Sequence, residues 1–551
     1  MSYYNSCEIK KEADLLPCEN GDNTVRNLVF GKQPVAINEL CPIDGETATP
    51  RFNSPIDYPV LTDGVRSDVY TYTDERWFRL TRGVSRSIIF RFDNLSAVKG
   101  FSIGFLKEDV SAVRLPRRVD MCLSENGVDW QRVYKCRDIF SDGAACRVDV
   151  CRELDKTYRA LYVMFEIETV GHVWLDEIEV FGTTAIPADA VSIVAEELDK
   201  DTASNIVNAY PSYDALGGVR NILLSYNCIP RNKESERRPG LGLITVEEYL
   251  PHLAYIDKDG EMKDTFFDGM LYLPYSMYTY SAEYKCAEGW KHYIENTFTE
   301  NANVDALNKA TAIVGEKLGI KNHKTKVYFS VLHTKVGYGE FPEKFGDIDG
   351  DGVDEVMDNF ADRKKAIKWC IDTTIEKFKA GNYENLTHDA FYWFEEEIAY
   401  SNSDETALLS WTVEYLHSLG YKLFWIPYYQ ASGFMEWKDL GFDVACMQPN
   451  FAFRDGIPTQ RLYDNAEITK KLGMCYELEI GGSDAKNVER YMKYLDCGAE
   501  TGFMNSIKMY YQGGVPGEFY AAFKSADPEL RKVYDSTYLF AKEKYVSRNE
   551  K

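Results

Sequence analysis

Two runs of this sequence place carboxylates where they could act on one bond. Glu395-Glu396-Glu397 closes a dense aromatic stretch, Phe391-Tyr392-Trp393-Phe394, and further along Glu477 and Glu479 alternate with Tyr476 and Leu478. In an extended strand that alternation puts Cys475, Glu477 and Glu479 on one face and Met474, Tyr476 and Leu478 on the other. Glu479 sits just before Gly481-Gly482, where a strand yields to its loop. A carboxylic acid that protonates a leaving oxygen, set opposite a carboxylate that attacks an anomeric carbon, is the apparatus for cleaving an acetal, and a gap of about 5–5.5 Å between them gives retention. Three adjacent glutamates also fit the acidic first turn of a helix, where the dipole favours negative charge. Alternation does not choose among them, because residues 391–394 are aromatic on both faces.

A second pattern points to a cation. From Asp347 to Asp358 the chain offers oxygen donors at loop positions 1, 3, 5, 9 and 12 through Asp347, Asp349, Asp351, Glu355 and Asp358, with Gly352 at position 6 and the carbonyl of Val353 at position 7. This is the spacing of an EF-hand-type calcium loop, departing from it in the Asp at position 12, as in the dockerin version, and in the lack of a clear preceding helix. The expectation is a structural Ca2+ that takes no part in chemistry; the plainer alternative is a solvated acidic turn. The 7 histidines show no HxH or HExxH spacing, so a metal-dependent hydrolase lacks its ligands. No GxGxxG or GxxxxGK[ST] run is present, and no organic cofactor is expected.

The elements that must hold these groups change character near residue 185. Residues 27–183 read as short alternating strands between turns, an antiparallel β-sandwich, after an N-terminal extension at 1–26. Residues 184–217 read as a linker. From 218 to 551 strand, loop and helix repeat, with strands at 219–226, 267–273, 326–332, 390–397, 422–428, 443–448, 474–480 and 503–509. Eight strands alternating with helices specify a (β/α)8 TIM barrel, giving a multidomain β plus α/β chain. An active site then belongs at the C-terminal strand ends, where Tyr226, Asn227, Tyr275, His333, Trp393, Tyr428, Gln448, Asn450 and Tyr510 are candidates to stack on or hydrogen-bond a sugar. The calcium loop follows the third strand and opens a helix at about Asp358, which would shape the barrel mouth.

Composition narrows the partners. Lys+Arg 63 against Asp+Glu 87 leaves a net charge of −24, which repels nucleic acid and anionic lipid. No run is long and apolar enough to suggest a membrane span. The first residues lack the apolar core of a secretion signal, and 13 cysteines without CxxC spacing read as buried thiols, so a cytoplasmic chain is expected unless a leader has been removed. Aromatic residues at 14% suit a hydroxyl-rich ligand.

Several phrases carry resemblances. Leu61-Thr62-Asp63-Gly64, then Leu115-Pro116-Arg117-Arg118-Val119 leading to Ser124-Glu125-Asn126-Gly127-Val128-Asp129-Trp130, then Trp174-Leu175-Asp176-Glu177-Ile178-Glu179-Val180 resemble, in order and spacing, the discoidin-like (coagulation factor five/eight type C) family. That resemblance implies a galactose-binding-like jelly roll that binds carbohydrate through loops at one end and holds a second structural calcium near Asp63; Trp77 is then a candidate sugar platform, the alternative being that it packs the sandwich rim and the domain only braces its neighbour. Leu241-Gly242-Leu243-Ile244-Thr245-Val246-Glu247, Phe391-Tyr392-Trp393-Phe394-Glu395-Glu396 and Tyr476-Glu477-Leu478-Glu479 resemble the bacterial family named domain of unknown function 4855. It implies a glycoside-hydrolase-like barrel. Carboxylates on strands four and seven are the arrangement of the large clan of retaining glycoside hydrolases on this barrel, which implies an acid/base on strand four and a nucleophile on strand seven. The family pattern, with a Glu three residues after the Trp, points to Glu396 as acid/base and Glu479 as nucleophile, with Glu395 and Glu477 as rivals. The expected activity is retaining cleavage of an oligo- or polysaccharide. The alternatives are a noncatalytic glycan-binding protein with a degenerate barrel, and a lyase or transferase on the same scaffold.

Overall fold

The computed structural model describes residues 23–40, 47–48, 61–80, 85–108, 113–169, 173–196, 198, 207–228, 243–274, 286–332, 345–398, 403–453, 455–513 and 516–549. They form two compact units, one built mainly from the first 204 residues and the other from most of the remainder.

The named strands of the N-terminal unit all pair antiparallel. Its strands are β1 (Arg26–Asn27), β2 (Ala36–Leu40), β3 (Thr47–Ala48), β4 (Phe78–Leu80), β5 (Ser85–Glu108), β6 (Arg118–Ser124), β7 (Gln131–Cys136), β8 (Ala145–Glu168) and β9 (Val173–Thr183). They run in the order β1-β9-β5-β8-β6-β7, with β2 on β5, β3 on β2 and β4 on β9. β5 and β8 pair along most of their length, and the register shifts between Arg91 and Ser96 and between Val98 and Gly100 bend them. Their alternate residues, including Ile88, Phe90, Phe101, Ile103, Val163 and Phe165, share one core with Leu175, Ile178 and Val180 of β9.

Trp77 belongs to the interior of this unit, which decides for packing and against the sugar platform. It is 5% exposed, packs with Leu106 and Val113, and donates Nε1–H to the carbonyl of Val69 at 2.9 Å. An indole buried and hydrogen-bonded in this way is not a sugar platform.

The second unit holds β10 (Asn221–Cys228), α1 (Val246–Leu253), the hairpin β11 (Ala254–Ile256) and β12 (Met262–Thr265), β13 (Gly269–Pro274), α2 (Ala287–Thr297), α3 (Asn303–Leu318), β14 (Thr325–Val331), α4 (Phe360–Ala380), the short β15 (Leu386–Thr387), β16 (Ala390–Trp393), α5 (Ser403–Ser418), β17 (Lys422–Trp425), β18 (Val444–Met447), α6 (Gln460–Leu472), β19 (Cys475–Glu479), α7 (Ala485–Thr501), β20 (Lys508–Tyr511), α8 (Glu518–Lys524) and α9 (Pro528–Ala541). Strands β10, β13, β14, β16, β17, β18, β19 and β20 pair in parallel, and β10 also pairs with β20, so the eight-stranded barrel closes. Its centre is filled by inward side chains such as Ile222, Leu271, Tyr328, Tyr392, Phe424 and Met509. The opposite parity packs outward: Tyr476 stacks on Phe503 with ring centroids 3.8 Å apart, and Trp425 on Phe442 at 5.1 Å.

Three strands are shorter than their apolar runs. β16 stops at Trp393 and β17 at Trp425, so the glutamates after Phe394 occupy a loop. α5 begins only at Ser403, and its acidic first turn is Asp404 and Glu405, not 395–397. β20 starts at Lys508, because Gly502 ends α7 in a left-handed conformation and Phe503–Asn505 continues as a 3-10 turn.

Candidate active site

A cavity of about 510 Å3 opens at the C-terminal ends of the barrel strands. Of the expected residues, Tyr226, Tyr428, Gln448, Asn450, Glu395, Glu396, Glu477 and Glu479 line it. Glu397 joins them. Two of the expected residues do not belong there. Trp393 alternates with the inward-facing Tyr392, so it takes the outer face of β16, where it is 2% exposed. Tyr510 likewise points out of the barrel, its hydroxyl donating to Asn221 Oδ1 at 3.0 Å and its ring packed edge-on to Phe267. Tyr275 and His333 lie outside the described residues, as does the side chain of Asn227.

The cavity also takes residues that reading strand tips one by one passes over: Tyr392, Phe394, Phe453 and Tyr511. Strand parity gives the signal for Tyr511. It is paired in register with Glu479, whereas Tyr510 is paired with the outward Leu478. Tyr511 packs edge-on to Phe453 at 5.3 Å and to Tyr226 at 6.1 Å, which makes an aromatic wall.

The carboxylates differ in how they are held. Glu479, 1% exposed, has two donors on one oxygen: the Tyr494 hydroxyl of α7 and the Phe451 amide, at 3.3 Å for the latter, both reach Oε2. Burial pushes its pKa up to about 7, and these donors, which favour the charged form, oppose the shift. Glu477 is 2% exposed and makes no hydrogen bond among the described residues. Burial raises it well above the usual carboxylate range, and the charges of Glu479 and Glu396 add to the effect. Glu396 accepts from Gln448 Nε2 at 2.9 Å, and the same nitrogen donates to the Ile426 carbonyl at 3.1 Å. Tyr428 donates its hydroxyl to Glu397, and Trp425 Nε1–H anchors the loop through the Glu395 carbonyl at 2.6 Å. Burial, then Glu396, Glu477 and their neighbours, hold the Tyr226 and Tyr392 hydroxyls firmly neutral. The arrangement supplies a carboxyl held by two donors at Glu479, further carboxyls beside it, and flat walls.

The family model described as Domain of unknown function (DUF4855) matches residues 236–539, more than half of the chain. The chain belongs to this family. No curated protein matches it. Among solved structures it is similar to CpGH89CBM32-6 produced by Clostridium perfringens, at 12% identity over 28% of this chain and 99% of that chain, with a TM-score of 0.20. It is also similar to the CBM22-1-GH10 modules of the Clostridium thermocellum endo-1,4-beta-D-xylanase 10B complexed with xylohexaose, at 10% identity over 79% of this chain and 88% of that chain, with a TM-score of 0.30. Xylanase10C from Cellvibrio japonicus in complex with xylopentaose is 9% identical over 79% and 84%, with a TM-score of 0.28.

Within the DUF4855 match lies the acidic loop. Asp347, Asp349 and Asp351 present oxygens within 4.8 Å of one another. Asp347 accepts from the amides of Gly350 at 2.6 Å and Gly352 at 2.8 Å, which curls the loop around it, and Gly350 and Gly352 both take positive φ. Glu355 is buried and accepts from the Ile348 amide at 2.7 Å. The ammonium of Lys365, on α4, lies 3.0 Å from Asp349, 2.6 Å from Asp351 and 2.6 Å from Glu355. Asp358 is exposed. Among the described residues no helix is long and apolar enough to cross a membrane.

Proposed function

We propose that this protein is a glycoside hydrolase that cleaves a glycosidic bond of an oligo- or polysaccharide with retention, using Glu396 as acid/base and Glu479 as nucleophile. The observation that carries this reading is one cavity at the barrel's C-terminal end that gathers Glu396 from beyond the fourth strand with Glu479 at the tip of the seventh. Two donors on Oε2 favour Glu479 as the ionised partner over Glu477, which has none among the described residues. In the first step Glu479 attacks the anomeric carbon while Glu396 gives its proton to the departing oxygen. In the second, Glu396 takes a proton from water, and that water displaces Glu479. The Tyr511–Phe453 wall offers flat apolar surface to a pyranose ring.

Hydrolysis of a panel of aryl glycosides and oligosaccharides tests this. Glu396→Gln and Glu479→Gln are each expected to lower kcat roughly a hundred- to ten-thousandfold on a substrate the wild type turns over, with folding unchanged. Sugar binding without turnover across the panel would favour the noncatalytic reading.

The rest of the chain takes supporting roles. Residues 27–183 act as a discoidin-like sandwich that binds carbohydrate, 184–217 as a linker and 218–551 as the catalytic barrel. A structural Ca2+ is proposed at 347–358, held by Asp347, Asp349 and Asp351 with the Val353 carbonyl, Glu355 and Asp358. The need for positive charge there is supported by Lys365, whose ammonium meets three of the acids. A second Ca2+ is proposed near Asp63. Glu177 is 1% exposed, accepts from the Gly64 amide through Oε2 at 3.1 Å, and its Oε1 has no hydrogen-bond partner among the described residues. Burial, then Glu179, Asp63 and Asp176, push its pKa up to about 9, and a cation would relieve that.

A further inference from the structure

The retaining mechanism proposed above uses two carboxylates, yet the cavity is lined by five: Glu395, Glu396, Glu397, Glu477 and Glu479. Among the described residues, no Lys, Arg or His lines it. Glu397 is occupied by the Tyr428 hydroxyl and Glu396 by Gln448, whereas Glu477 has neither a partner nor a step to perform. A buried carboxyl with no partner in the protein is costly to desolvate, and a polar ligand entering the cavity can supply the match. A single metal ion is a poor candidate, because among the described residues only Asp347, Asp349 and Asp351 bring three donor oxygens within 4.8 Å of one another.

We propose that the substrate carries a protonated amine that seats against Glu477, which makes its class an amino sugar with a free amine. This rests on the cavity being the glycosidase site. An ammonium in an acid-lined pocket gains a charge-assisted hydrogen bond, whereas a uronic acid, a sulfate or a phosphate meets uncompensated repulsion. An acetylated amine forfeits the charge and adds bulk. The groups that face Glu477 are Glu479 on its own strand, Glu396 beyond β16, and the neutral Tyr226, Tyr392 and Cys446 from β10, β16 and β18. None of these can itself neutralise a charged Glu477. Burial raises the Glu477 pKa well above the usual carboxylate range and a bound ammonium lowers it, so amine binding is coupled to the release of a proton.

The test is calorimetric binding of glucosamine, galactosamine and mannosamine to the full chain, each beside its neutral parent sugar and its N-acetyl derivative, with aryl glycoside hydrolysis measured in parallel. At least one amine is expected to bind roughly ten- to a hundredfold tighter than its parent, the size of a hydrogen bond to a charged group, with a binding enthalpy that changes with buffer because a proton is released. Glu477→Gln keeps the shape and hydrogen-bonding capacity but not the charge, and it is expected to erase the preference. Neutral parents binding as tightly as the amines, or a preference that survives Glu477→Gln, would overturn the inference; the latter would mean that a neutral hydrogen bond suffices. Hydrolysis of neutral glycosides without amine preference would overturn it and leave the glycosidase standing. Amine-selective binding without turnover on any glycoside would do the reverse.

Discussion

Glu479 would hold its proton well past the usual range by burial alone, and Tyr494 and the Phe451 amide pull the other way. Tyr494→Phe removes one donor to the charged form, so the pKa of Glu479 should rise further above about 7. A nucleophile must be ionised, and kcat/KM therefore climbs as pH rises through that value. The expected outcome is an acidic limb displaced to higher pH, with activity near pH 6 reduced more than activity near pH 8. A pH–rate profile checks this, and a uniform loss at every pH would mean that Tyr494 only packs. At this scale the sequence was legible where one strand's alternation was enough: Glu477 and Glu479 do share a face. It was not legible where the partner lies elsewhere, as Tyr494 does on the next helix. Picking strand tips without carrying parity across the sheet put Trp393 and Tyr510 in a site that belongs to Tyr392 and Tyr511.

The 347–358 loop and α4 form a unit in which a lysine stands where a divalent ion would go. If Ca2+ binds, Lys365 must leave its three acids, so ion and ammonium compete. Lys365→Met is expected to raise Ca2+ affinity roughly tenfold, since one charge a few ångströms away is worth on the order of 1 kcal/mol or more near a surface. In the wild type, added Ca2+ should raise Tm and a chelator lower it, because a ligand that binds only the folded state stabilises it by mass action. Calorimetry with Ca2+ on both proteins decides: no binding to either would leave a solvated, lysine-clamped turn. The loop was visible in sequence because its acids fall at motif spacing within the single run 347–358, whereas Lys365 arrives from the following helix and belongs to no motif. The ends of β16 and β17 were hidden for a related reason. Aromatic and apolar residues continue past the last ladder bond, as with Ile426, which fills the barrel mouth after the strand has ended.

Across the whole chain, the count of eight strand–helix alternations made a closed barrel the economical reading, although the β10–β20 pairing that closes it joins residues almost 290 apart and leaves no local trace. The N-terminal unit was less readable in detail, because β5 and β8 each run 24 residues through polar, bulged middles that break the alternation. The net charge of −24 bears on function at this scale. It speeds the approach of a cationic sugar and slows that of an anionic one, and it acts over a Debye length of about 10 Å at 0.1 M salt. Glu477, in contrast, acts only after the ligand has entered and has shed its water. The two contributions therefore separate kinetically. For a glucosamine oligomer, raising salt from about 0.02 to 0.2 M should lower kon severalfold in the wild type and in Glu477→Gln alike, whereas Glu477→Gln should raise koff with little change in kon. Stopped-flow or surface-based kinetics over a salt series measures both. A kon that ignores salt would remove the long-range field from the account, and a substitution that alters kon but not koff would move amine recognition from the pocket to the surface.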